Sequence, residues 1–455
     1  MTILTLDKDK LEKNIGKIEQ VREKIDMFGT PVEHIGNEVD IEIFPNRPDL
    51  LSMQGFVRSF LQYLGKKKPV KFKIHKPEKN YKVKVDKNLR DIRPYTACAV
   101  VKGLKLDDKK IKELVDIQEK LHQTLGRNRK KVAIGIYPLE KIKMPIRFVA
   151  KKPEEIKFIP LESDKEMTGK QILRQHPTGR AYAALLDGMD KYPVFIDAEE
   201  KILSMPPIIN SKETGKITEK TREVFIECSG HNLVYLKKVL NIIAAALYDM
   251  GGRIYAMDVS GDENFTSPNL EPEKMGFKIE EINKQLGMNL KEKEIRICLE
   301  KMGIAIEKNK EQLYALIPAY RVDILHWIDL VEEVAIAYGY DNLQAELPDI
   351  STIGEESLGS RRKRTIGEIL AGLGMLECSS YHLIPKSDLK KMGLENIEVE
   401  NSKTDYSCLR KDLLTNLIKI LAENSHASYP QKIFETGKVF EGLEEKDKLA
   451  GLVSY

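Results

Sequence analysis

The longest apolar run in the chain, Val239–Tyr248, is ten residues long and is interrupted by Asn241. A bilayer needs about 20 apolar residues in succession, so the hydrophobic side chains must be buried inside protein cores. They make up 42% of 455 residues. At about 150 residues per domain that predicts roughly three domains, each with ample core. The start, Met1-Thr2-Ile3-Leu4-Thr5-Leu6-Asp7, has no basic leader and no long apolar stretch, so it does not read as a signal peptide. A cytoplasmic protein without a membrane partner is expected. Cys98, Cys228, Cys298, Cys378 and Cys408 are odd in number, scattered, and outside any CxxC or Cys/His cluster. They are expected as buried free thiols rather than disulfides or zinc ligands. The 74 Lys and Arg nearly cancel 70 Asp and Glu, leaving +4. That balance excludes a polycation but permits local basic patches, and Lys66–Lys68, Arg127–Lys131 and Arg361–Arg364 supply them.

Hydrophobic periodicity predicts helices over 7–20 and 51–64, with a strand at Val39–Phe44 closed by Pro45-Asn46-Arg47-Pro48-Asp49. The Lys-rich stretch Lys66–Asn88 suits an exposed strand pair. Strands are predicted at Ala97–Val101, Val132–Ile136, Val194–Ile196 and Arg222–Ser229, with helices at Lys109–Leu125 and Asn232–Met250. Along Arg222–Ser229, Val224, Ile226 and Cys228 share one face, and Phe225 and Glu227 the other. Asn264–Glu273 reads as a linker. Beyond it come two short helices, a strand pair at Ile304–Glu307 and Leu313–Ile317, and a helix at Asp329–Tyr338, an order like that of a winged helix. A basic helix then opens a last domain, whose strands near Ser379–Leu383, Ile397–Val399, Gln431–Phe434 and Lys438–Phe440 fit an antiparallel sheet.

Two groups of residues suggest chemistry. Asp323, Asp329, Glu332 and Glu333 form the densest carboxylate cluster. Hard oxygen ligands at this density suit Mg²⁺. Equally, Asp329 at a helix start with Glu332 three residues on is a capping pair. The second group is the stiff loop Ser204-Met205-Pro206-Pro207-Ile208-Ile209-Asn210-Ser211 together with Glu227 and Ser229, at i,i+2 on one strand face. A rigid loop beside a carboxylate and a hydroxyl suits the positioning of a water. A proline-rich turn beside an edge strand is the plainer reading. Nothing matches GxxxxGK[ST], a GxGxxG after a strand, GxSxG or HExxH.

Five segments in order, Pro45–Leu50, Gln118–Gln123, Val132–Ile136, Ser204–Asn210 and Tyr320–Gly339, together resemble the beta subunit of phenylalanyl-tRNA synthetase in its archaeal/eukaryotic form. The resemblance covers essentially the whole chain. It implies an α+β multidomain protein: an N-terminal α+β domain over 1–89, a mixed α/β editing domain over 90–263, a winged-helix-like module with a magnesium site over 268–347, and over 351–455 a class II synthetase-like antiparallel-sheet domain. That last domain is expected to be catalytically inactive and, because Leu449–Tyr455 resembles a mid-domain strand, incomplete. The implied reaction is ATP, phenylalanine and tRNA(Phe) giving Phe-tRNA on a catalytic alpha subunit, in an assembly of two alpha and two beta chains. This chain would bind tRNA and hydrolyse mischarged Tyr-tRNA. The family's magnesium ligands fall on Asp323, Asp329, Glu332 and Glu333, and its editing pocket on Phe195, Ser204, Glu227 and Ser229. Phe195 replaces the usual smaller aliphatic, and Glu227 and Ser229 replace an Asp-x-Thr pair. Two other readings are a nucleic-acid-binding adaptor without catalysis and a free-standing aminoacyl-tRNA hydrolase.

Overall fold

Leu4 and Leu6 are buried and alternate with more exposed residues along a first strand, Thr2–Asp7, beyond those expected. It pairs antiparallel with Glu38–Ile43, which pairs with Val32–Ile35. Gly16, at φ +101°, interrupts the helix expected over 7–20 and leaves Lys8–Ile15 and Ile18–Met27. The computed structural model describes residues 2–310, 312–347, 352–395 and 397–455. Met1 and Ser351, where the first and last domains were expected to begin, lie outside these. Backbone contacts divide the chain into two units, Met1–Ala345 and Glu346–Tyr455.

Two sheets form the centre of the first unit. One has five strands in the order Ile74–His75, Arg253–Tyr255, Tyr95–Lys102, Glu223–Gly230 and Val132–Pro138. The other has seven, in the order Ile209–Asn210, Ile202–Met205, Tyr192–Ile196, Ile146–Lys151, Lys82–Val85, Met257–Ser260 and Phe265–Ser267. The expected strand pair within 66–88 therefore does not form, because Ile74–His75 and Lys82–Val85 enter different sheets by parallel pairing. Part of the expected linker is likewise the edge strand Phe265–Ser267. Alternation along each strand makes the layers. Val100, Tyr137 and Phe225 of one sheet and Val83, Phe148 and Phe195 of the other share one core. Val224, Ile226 and Cys228 point the opposite way, against the helices Asp108–Gln123 and Leu233–Asp249.

The rest of this unit holds a three-stranded sheet with Gln312–Ile317 between Glu273–Phe277 and Ala305–Asn309. The helices Ile279–Leu286, Glu292–Lys301 and Trp327–Tyr338 accompany it. Glu273–Phe277 adds a strand to the expected pair.

In the second unit Gln431–Glu441, expected as two strands, runs unbroken and pairs with Glu444–Ser454 over eleven residue pairs. Leu376–Glu377 joins it in parallel, so the sheet is mixed rather than antiparallel. A separate two-stranded sheet pairs Leu383–Pro385 with Tyr406–Leu409. The Arg410–Glu435 ion pair, 2.6 Å, is fully buried here, and the half-buried Ser380 hydrogen-bonds to both partners.

Candidate functional site

Glu227 lies opposite Gly135 in the strand pair at the edge of the five-stranded sheet, and Tyr137 is two residues along on the same face. The edge of the seven-stranded sheet brings Ser204 over them from Ile202–Met205, with Asn210 following the Pro206-Pro207 turn. Tyr137 Oη donates to Ser204 Oγ at 2.8 Å and lies 3.2 Å from Glu227 Oε1. The carboxyl is buried, and burial pushes its pKa up to about 8, against the weaker opposing pull of the Arg93 charge. At neutral pH it is mostly protonated. The Tyr137 hydroxyl has one proton, shared between Ser204 Oγ and Glu227 Oε1. The other oxygen, Oε2, is buried and has no hydrogen-bond partner among the described residues.

Ser204, Asn210 and Glu227 line a cavity of about 710 Å³ that also borders Glu119, His122, Arg129 and the Pro206-Pro207 turn. His122 accepts from the Ile134 backbone N–H through Nε2 (2.8 Å) and faces Glu119 through Nδ1 (3.2 Å). Burial holds it below the usual histidine range. Gln118 donates to the Ile134 carbonyl at 2.9 Å. Two of the quoted segments, Gln118–Gln123 and Val132–Ile136, thus brace one another at the cavity wall.

The structure brings Ser204 and Glu227 together but leaves Phe195 and Ser229 off the cavity wall. Phe195 stacks on Phe148, ring centroids 4.1 Å apart, within the core between the sheets. It therefore fills core rather than narrowing the pocket. Ser229 Oγ accepts from Arg93 Nε at 3.1 Å. Tyr137 and Gly135 were not singled out from the sequence. A Gly-x-Tyr on the strand opposite an inward-facing acid was the available signal.

The four acids of the other cluster separate. Arg321 holds Asp323 through Nε and Nη2 (2.8 and 2.7 Å) and Glu333 through Nη1 and Nη2 (2.9 and 2.7 Å). The helix begins at Trp327, so His326 rather than Asp329 is its cap, and Asp329 takes the third position. Asp329 accepts from the backbone of Leu325 and His326, both at 2.7 Å. Glu332 is exposed. Among the described residues no three His, Cys, Asp or Glu side chains come together to hold a metal. Two of the four carboxylates share one guanidinium, and a third accepts backbone N–H groups at a helix start. As they stand in this chain they do not fit Mg²⁺, and their order serves the scaffold.

Three family models match in sequence: the B3/4 domain over residues 80–242, the tRNA synthetase B5 domain over 275–340, and the phenylalanyl tRNA synthetase beta chain CLM domain over 343–455. The phenylalanine–tRNA ligase beta subunit of Archaeoglobus fulgidus is 35% identical across 100% of this chain and 84% of its own length. Its counterpart from Methanosarcina acetivorans is 37% identical over 96% and 82%. The crystal structure of an N-terminal fragment of the phenylalanyl-tRNA synthetase beta-subunit from Pyrococcus horikoshii matches with a TM-score of 0.70 and 37% identity. It covers 74% of this chain and 99% of the fragment.

Proposed function

We infer that this chain, which belongs to the family of phenylalanine–tRNA ligase beta subunits, proofreads for that ligase as well as supporting it. Activation of phenylalanine with ATP falls to an alpha subunit, which pairs with this chain in a two-alpha, two-beta cytoplasmic assembly that binds tRNA(Phe). Mg²⁺ belongs with that ATP-dependent step. The 351–455 region is read as a synthetase-like domain without catalysis of its own. The cavity between the two central sheets receives the aminoacyl end of Tyr-tRNA. An activating pocket shaped for phenylalanine discriminates only modestly against an added hydroxyl, so errors need a second site that recognises that hydroxyl.

One observation carries the reading: Glu227 in the cavity wall is mostly neutral and keeps one buried oxygen without a partner. A tyrosine hydroxyl would satisfy it, whereas a phenylalanine ring would leave it buried and bare. A protonated carboxyl also avoids setting a full charge against an aromatic ring. Ser204 and Asn210 stand at the same wall, where they can orient the ester or the attacking water. A nucleic-acid adaptor would leave this polar cavity unexplained.

The test is deacylation of Tyr-tRNA(Phe) and Phe-tRNA(Phe) by the complex with its alpha subunit. Glu227→Ala is expected to reduce the preference for the tyrosyl ester about tenfold, the worth of one buried hydrogen bond. An unchanged preference would remove Glu227 from the discriminating role.

A further inference from the structure

Arg93 is 3% exposed, yet it has no carboxylate partner among the described residues. Nε donates to Ser229 Oγ and Nη2 to the Ser229 carbonyl, which leaves Nη1 over. A buried guanidinium without a counter-charge is costly. The carboxyl whose charge reaches it is Glu227, and burial keeps that group mostly neutral at pH 7. Arg93 lies in a second recess of about 230 Å³, whose lining includes Lys130, Pro207 and His231 but no acid. Pro207 is also a wall of the larger cavity, so the two share a partition.

Lys130 is held at this recess by an unusual backbone. Arg127, Asn128 and Arg129 are three successive non-glycine residues at φ 47°, 52° and 66°, each in a conformation that costs about 1–3 kcal/mol. Arg129 anchors the turn. Its guanidinium donates to the Ile208 carbonyl and to Glu119, both at 2.8 Å, and stacks on Tyr182 at 4.3 Å. Strain kept in place by that many contacts marks a loop whose position matters.

We propose that Arg93, Lys130 and His231 form an anion site that takes a backbone phosphate of an RNA strand whose aminoacyl end occupies the neighbouring cavity. Arg93 supplies a planar donor fork suited to phosphate oxygens. Lys130 adds charge at the exposed rim and His231 a neutral donor. In naming RNA as the source of the phosphate, the proposal rests on the reading of the larger cavity given above.

The experiment measures binding of the ribonucleotide ACCA to the complex with the alpha subunit, by fluorescence titration across a range of salt. The rim variant Lys130→Ala/His231→Ala is expected to bind about tenfold more weakly and to lower the salt slope by about one. Its melting temperature is the check on folding. Arg93→Lys, which keeps the charge and loses the fork, is expected to weaken binding as well. Unchanged affinity and salt slope in the rim variant would overturn the anion site. Deacylation of Tyr-tRNA is measured alongside and decides the cavity reading separately: a wild-type complex that binds ACCA through these residues but leaves Tyr-tRNA intact keeps the anion site and removes the proofreading role.

Discussion

Replacing Arg321 with methionine is expected to destabilise the protein by about 3–5 kcal/mol, the loss that follows when one partner of a buried ion group is removed. The guanidinium satisfies two carboxylates at once, Asp323 and Glu333, and methionine would leave Glu333 without its ion-pair partner and Asp323 with only the charge of Arg47. Trp327 is the chain's single tryptophan and opens the helix that carries Glu333, so its fluorescence reports unfolding of this region. The pH dependence follows from Asp323. Burial raises its pKa, but the charge and hydrogen bonds of Arg321 outweigh that and hold it below the ordinary carboxylate range. A depressed carboxylate contributes stability that is present above its unfolded pKa, about 3.9, and is lost as pH falls through the folded value. In the wild type the contribution is therefore whole at neutral pH and disappears only in strong acid. In Arg321→Met the loss of that guanidinium lets Asp323 protonate more readily, so the deficit is largest at neutral pH and narrows toward about pH 4. A deficit below about 1 kcal/mol, typical of an exposed pair, would show that the clamp contributes little.

Those acids show where reading residues one type at a time falls short. Four carboxylates within eleven positions invite a cation, but the cation that two of them meet is a side chain, Arg321, in the same quoted segment. Spacing along a helix states which groups share a face and leaves open what lies opposite. Local patterns transferred well. The two faces of the strand Glu223–Gly230 follow from alternation, and the helix Leu233–Asp249 starts at its Asn232 cap and ends before Gly251. Non-local pairing did not transfer: Lys82–Val85 aligns in parallel with strands from 146 and from 257 onward. Nothing within a strand records such distant partners. The candidate site divides in the same way. The side chain of Glu227 points inward because of its strand's alternation, which is local. Phe195 lies in the core and Ser229 on Arg93 because of how two sheets stack, which is not.

Gly135→Ala is expected to lower stability by about 1–3 kcal/mol, as overpacking does, and to reduce Tyr-tRNA deacylation about 100-fold, the scale of a misplacement near 1 Å. Gly135 has no left-handed backbone to accommodate, so the requirement is for space alone. A Cβ there would sit 2.5 Å from Glu227 Oε1 and closer still to Tyr137 Oη. Both groups belong to the hydrogen-bonded chain that ends on Ser204, and they move together or break apart. Removing the phenol hydroxyl does not relieve the clash, because the ring carbon Tyr137 Cζ lies only 2.6 Å from the added methyl. Drawing the carboxyl back by one methylene removes part of it. The double variant Gly135→Ala/Glu227→Asp is therefore expected to recover part of the lost deacylation, whereas Gly135→Ala/Tyr137→Phe is not. Melting temperatures of all three separate misplacement from unfolding, and contact between the residues predicts that the effects of Gly135→Ala and Glu227→Asp are not additive. If Gly135→Ala retained wild-type deacylation, the placement of Glu227 by Tyr137 across this glycine would be irrelevant to the reaction.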